Sequence, residues 1–102
     1  MATHSYNMGN IYEKGEAKSL FVSPSQEAKI QGVGSGSYKV YGQLTKDGAA
    51  KPLTLINTAT YEMTDTGVGD NIYTCDVSGL RCIYAGDVSG MDTIYARAFA
   101  ST

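Results

Sequence analysis

The clearest alternation of apolar and polar positions lies in Tyr38-Lys-Val-Tyr-Gly-Gln-Leu44, which places Tyr38, Val40 and Leu44 on one face and Lys39, Tyr41 and Gln43 on the other. Period two marks a strand with one buried face. The same period runs from Ala28 to Val33 and predicts an inner face of Ala28, Ile30 and Gly32. Ser19 to Val22 reads as a further strand, closed by Ser23-Pro24-Ser25 because proline cannot donate to a ladder. Pro52 to Ile56 and Ala59 to Met63 are weaker strands flanking Asn57-Thr58. Turn residues punctuate the pattern: a charged turn around Gly15, Gly34-Ser-Gly-Ser37 as a hairpin connection, Lys46-Asp47-Gly48, and a loop from Thr64 to Asp70. About eight short strands and no helical pattern predict an all-β fold. Burying one face of each sheet calls for an antiparallel β-sandwich, jelly-roll-like in one arrangement, with a small closed barrel as runner-up.

The second half of the chain repeats itself. CDVSGLRCIYA, residues 75–85, is followed at once by GDVSGMDTIYA, residues 86–96, and Ile72-Tyr73 precedes Ile83-Tyr84 and Ile94-Tyr95 at the same spacing of eleven. Eleven residues suit one strand and one turn. Asp-Val-Ser-Gly carries Asp first and Gly fourth, as a type I turn requires. The favoured reading closes residues 76–80 as a three-residue hairpin, with Asp76 facing Leu80 and Tyr73 facing Ile83. A two-residue loop would instead oppose Cys75 to Cys82 and Tyr73 to Tyr84. A third arrangement ends one strand at Asp-Val-Ser-Gly and sends the chain across to another sheet. Tyr73, Tyr84 and Tyr95 occupy equivalent points of the repeat, so neighbouring units would line them up as a tyrosine ladder. A ladder of that kind stabilises a sheet, and exposed rings can also stack on sugars.

Composition narrows the function. The chain has 102 residues, enough for one domain that buries roughly two-thirds of its unfolded surface. A net charge of -2 with scattered basic residues argues against a surface that tracks phosphates, so no direct nucleic-acid partner is expected. No apolar run approaches the ~20 residues of a membrane helix, and no export signal precedes the domain, which predicts folding in a cytoplasm and no membrane partner. Cys75 and Cys82 then read as reduced, packed thiols rather than a disulfide. With His4 the single histidine and the serines placed beside Gly and Pro in turns, the sequence is read as non-enzymatic. No metal or cofactor is expected. Asp65, Asp70, Asp76, Asp87 and Asp92 are better explained as turn-capping residues than as calcium ligands.

Residues 1–12 read as an extended N-terminal arm ahead of a β-sandwich domain at 13–102, or else as a first edge strand. As an arm, it would reach a neighbouring subunit through Tyr6, Met8, Ile11 and Tyr12.

Several phrases together resemble small virion proteins of tailed bacteriophages. They are the Met-Ala-Thr opening, Tyr38 to Leu44 with its Lys-Asp-Gly turn, Pro52 to Ile56, Gly69 to Tyr73, Asp76-Val-Ser-Gly-Leu80 and a last strand from Gly90 to Arg97. The likeness covers about residues 38–99. It implies a capsid decoration (cement) protein, a head fibre or a tail-associated component, with a β-sandwich fold and commonly a homotrimer. A decoration protein would bind the major capsid protein on the outside of the shell and stabilise it, and so reside in the virion after synthesis in the host cytoplasm. The alternative is a tail-tip or fibre-associated domain that binds host carbohydrate.

Overall fold

The computed structural model describes residues 3–101 of the chain, and the side chains of residues 8–99. Ten strands follow one another: β1 (Thr3–Glu13), β2 (Glu16–Ala17), β3 (Leu20–Phe21), β4 (Glu27–Gln43), β5 (Lys51–Pro52), β6 (Leu55–Asn57), β7 (Met63–Thr64), β8 (Gly67–Val68), β9 (Ile72–Asp76) and β10 (Cys82–Ser101). They form one antiparallel sheet in the order β2-β1-β10-β4-β9-β6-β7, with β3 on β10 and both β5 and β8 on β4. The all-β antiparallel expectation holds. The expectation of uniformly short strands does not, because β4 runs for 17 residues and β10 for 20.

Strands of that length cannot be straight here. At about 3.3 Å per residue β4 would extend roughly 55 Å, whereas the longest dimension of the molecule is 35 Å. Two short crossings show that both long strands double back. The Val77 N–H donates to Gln26 O at 3.0 Å and the Arg81 N–H to Gln43 O at 2.7 Å, so residues 77–81 bridge the two ends of β4. Likewise the Val22 N–H donates to Arg81 O and the Gln26 N–H to Phe99 O, so residues 22–26 bridge the two ends of β10. Four residues reach at most about 14 Å. The sheet is therefore folded across itself into two facing layers. One holds β2, β1, the C-terminal half of β10, the N-terminal half of β4, β9, β6 and β7. The other holds β3 with the remaining halves of β10 and β4, and β5, while β8 pairs with β4 at Ser37 and Tyr38, beside the bend.

The fold line passes through residues read in sequence as turns. Gly34 to Ser37 lies inside β4 rather than between two strands, and the second Asp-Val-Ser-Gly, residues 87–90, lies inside β10. The register between β10 and β4 slips between Gly86 and Ser89, between Ser89 and Met91, and between Met91 and Thr93, so the bend is built from bulges. Asp87 and Gly90 take φ values of 50° and 73° to make them. At Gly36 the two backbones nearly touch: a Cβ there would lie 1.6 Å from Ser89 O. Only glycine allows that approach.

Between the layers lies the core. Ala28, Ile30, Val40, Ile83, Ala85, Ile94 and Ala98 from the two long strands are fully buried, joined by Ile11, Leu55 and Val77. Tyr38 fills the space at the bend, its ring 6.4 Å from that of Tyr73 at an 85° interplanar angle. A Cβ on Gly67 would lie 2.5 Å from the Tyr38 ring, so Gly67 leaves the room the ring occupies.

Three expectations are corrected by this arrangement. First, β9 pairs with β4 and β6 and not with β10, so neither hairpin register forms at residues 76–80. The chain crosses between layers there, with Asp76 Oδ1 accepting from the Ser78 N–H at 2.8 Å and Gly79 at φ 77°. Second, of the two readings of the N-terminal stretch the strand holds and the arm does not: residues 3–13 pair along β10 from Thr3 with Ser101 to Glu13 with Thr93. Third, β4 ends at Gln43, which leaves Leu44 68% exposed instead of on the inner face.

Candidate interaction surfaces

The residues singled out in sequence are scattered by the fold. Ile11 is fully buried in the core, so it is not presented to another molecule as an arm contact would be, and the partly buried Tyr12 packs against the same core. Met8 is 62% exposed, and Tyr6 lies outside the residues whose side chains are described. The tyrosines of the repeat do not form a ladder, because the repeat units are not adjacent strands. Tyr73 is buried on β9; Tyr84 stacks on Tyr41 at 5.7 Å; Tyr95 stands half-exposed on the outer face of the layer that also holds β9. Tyr41 in turn donates to Asp87 Oδ2 at 2.6 Å, a bond that raises the Tyr41 pKa and ties the bend of β10 to β4.

Two features of the surface are built rather than scattered. The first is a furrow on the outer face of the β1–β10–β4–β9 layer. Strand register sets it: Asn10, Tyr95, Gln31 and Ile72 form one cross-strand row, and Met8, Arg97, Lys29 and Thr74 form the next. Inward-facing Gly9, Ala96 and Ile30 lie between the rows and supply a low floor. The resulting volume is about 420 Å³. Gln31 is fixed by donating to Asp70 O at 3.0 Å, and Arg97 Nε donates to Met8 Sδ at 3.1 Å. The Lys29 ammonium lies 6.0 Å from the centre of the Phe99 ring.

The second feature is the tip between β6 and β7, at the edge of the sheet remote from β1. Asn57 Oδ1 accepts from the Ala59 and Thr60 N–H groups at 2.8 and 3.2 Å, while the Tyr61 N–H donates to Asn57 O and the Asn57 N–H to Glu62 O. This tightly bonded turn holds Tyr61 at φ 63°, a strained conformation for a residue with a Cβ, and leaves its side chain 80% exposed. Met63, 75% exposed, stands directly opposite Ile56, which is also exposed. The sequence predicts a strand from Ala59 to Met63, and that expectation conceals this cluster. The signal available was an Asn-Thr turn followed by Tyr and Met in an otherwise polar run.

Both cysteines are free and buried, on opposite layers of the fold. Burial pushes the Cys75 thiol up to about 12, with Asp76 and Glu27 adding smaller repulsions. Asp76 is shifted the other way, its carboxyl held below the usual range first by the Ser78 backbone N–H and then by the Ser78 hydroxyl. Among the described residues no group of three His, Cys, Asp or Glu side chains is placed to hold a metal ion, and no helix is long and apolar enough to cross a membrane.

No protein-family model matches the chain, and no curated protein matches it. Two solved structures share its fold. The SPBc2 prophage-derived protein YomS superposes with a TM-score of 0.80 at 15% identity over 98% of this chain and 96% of its own. The PBSX exported protein XepA gives 0.79 at 15% identity, again over 98% of this chain but only 39% of its own, so there the fold is one part of a longer protein. At that identity the likeness is one of fold.

Proposed function

We propose that the chain is a non-enzymatic structural protein of a phage particle, of the decoration type that binds the outside of the capsid through the major capsid protein and stabilises it. Its home would be the virion, after synthesis in the host cytoplasm, and its working form a homotrimer. The observation that carries the reading is the β6–β7 tip, where Tyr61, Met63 and Ile56 are exposed together on a turn braced by its own hydrogen bonds. Tyrosine and methionine are enriched at protein interfaces, and a contact already rigid loses little entropy on binding. The prophage origin of YomS, which shares the fold, supports a phage setting. Decoration works by mass action: a protein that binds only the assembled shell stabilises it, and symmetry multiplies each weak contact.

Replacing Tyr61 and Met63 together by serine tests the contact. Attachment to parent particles, measured by co-sedimentation, should weaken at least about tenfold, as expected for the loss of an aromatic anchor. The melting temperature should not fall, because both side chains are exposed. Unchanged attachment would remove the tip from the interface. Copy number separates decoration from a tail-tip or fibre position, where only a few copies fit on each particle.

A further inference from the structure

The furrow between the Tyr95 and Arg97 rows is not absorbed by a contact at the opposite edge of the sheet. It has one property that a sheet surface does not acquire for its own stability. Arg97 and Lys29 are direct cross-strand partners on adjacent central strands, and like charges so placed repel. Among the described residues neither belongs to an ion pair; the pairs present are Lys18 with Glu13 and Lys39 with Asp65. On the same face Glu27 and Asp76 stand one row further along, and Asp70 lies at the Gln31 end of the furrow, where its backbone oxygen accepts from the Gln31 amide. Two cations therefore share one wall of a trough about 14 Å long, the width of three inter-strand spacings.

The opposite wall has a different chemistry. Tyr95 exposes half its surface between Asn10 and Gln31, so an aromatic ring is flanked by two side-chain amides. The floor cannot capture an extended peptide by main-chain bonds, because β10 and β4 are paired on both edges there. A ligand must be held by side chains alone. A peptide would leave its own amide groups unpaired, whereas a sugar ring presents an apolar face to tyrosine and hydroxyls to amides, and a carboxylate on it meets arginine in a planar fork.

We propose that this furrow is a binding site for a short run of an acidic glycan, with sugar rings on Tyr95 and carboxylates on Arg97 and Lys29. The site gives the carbohydrate-binding alternative a definite ligand class, and it does not depend on the capsid contact.

Titrating the full chain with trigalacturonate, followed by amide NMR and calorimetry at low salt, tests it. Saturable shifts should centre on Tyr95, Gln31, Arg97 and Asn10, the methyl ester should not bind, and affinity should fall as salt screens the charges. Lys29→Gln with Arg97→Gln, and separately Tyr95→Ala, should each weaken binding about tenfold or more while the chain remains folded by circular dichroism. Equal binding of acid and ester, shifts mapped elsewhere, unaltered affinity in both variants, or tighter binding of a ring-less glycerol phosphate oligomer would each overturn the assignment. So would the absence of saturable binding up to about 10 mM, weaker than any useful single-site affinity even with avidity. The Tyr61 and Met63 variant serves as a control that should bind trigalacturonate normally, so the failure of either surface is seen apart from the other.

Discussion

Single atoms decide whether the sheet can double over. At Gly36 an added methyl would meet Ser89 O at 1.6 Å, backbone against backbone, with no flexible side chain to give way. Gly36→Ala should therefore destabilise the domain by more than about 2 kcal/mol in denaturant melts. Tyr38 is costly in another way. Its hydroxyl is buried and, among the described residues, has no hydrogen-bond partner. Burial foremost, then Tyr73 and Cys75, raises its pKa far above the ordinary 10.0. Removing an unpaired buried hydroxyl is neutral or favourable, so Tyr38→Phe should raise stability by up to about 1 kcal/mol. The pH dependence follows from the same groups. Tyr38 and Cys75 keep their protons in the folded chain but ionise in the unfolded one near 10.0 and 9.0. Their contribution is fully present below pH 9.0 and is lost as pH rises toward the folded values. Thermal melts should show stability declining above that pH, with a shallower decline in Tyr38→Phe. Asp76 acts at the other end: its lowered pKa gives stability present above the ordinary 3.8 and lost as pH falls through the folded value.

At the scale of elements, the two copies of Asp-Val-Ser-Gly show how far local signals reach. In the first, Asp76 caps the turn and Gly79 takes positive φ, as turn chemistry requires. In the second the same tetrapeptide makes a bulge within β10, because the following residues continue to pair with β4 across the bend. Propensity marked both as places where the chain departs from a regular strand; it could not say whether the chain turned back or only bent. That choice depends on Gly36 lying opposite, far away in sequence. The same reason left the N-terminal stretch readable as either arm or edge strand, since the partner of residues 3–13 is the last strand. Period-two patterning did reveal Ala28, Ile30, Tyr38 and Val40 as inner residues, since alternation survives any bend. The surfaces were less legible: Tyr95 and Arg97 gain meaning only from Gln31 and Lys29 beside them, and Tyr61 only from the turn beneath it. Because β1 delivers the fully buried Ile11 to the core, Ile11→Ala should cost about 2–5 kcal/mol. Deleting residues 2–12 should unfold the domain rather than merely detach it, as circular dichroism would show.

For the whole molecule, doubling two long strands gives a small chain a two-layer core closed at one end by the crossings at residues 22–26 and 77–81. The layer bearing β9, β6 and β7 presents the furrow on its outer face and the Tyr61 tip at its edge, so a particle and a glycan could be engaged together. Light scattering of the purified protein, alone and mixed with empty capsids of its parent phage, tests the particle role most directly. A trimer that co-elutes with shells in hundreds of copies is the expected result. A protein that leaves capsids bare would contradict the decoration role and move it to a sparse tail or cell-surface position.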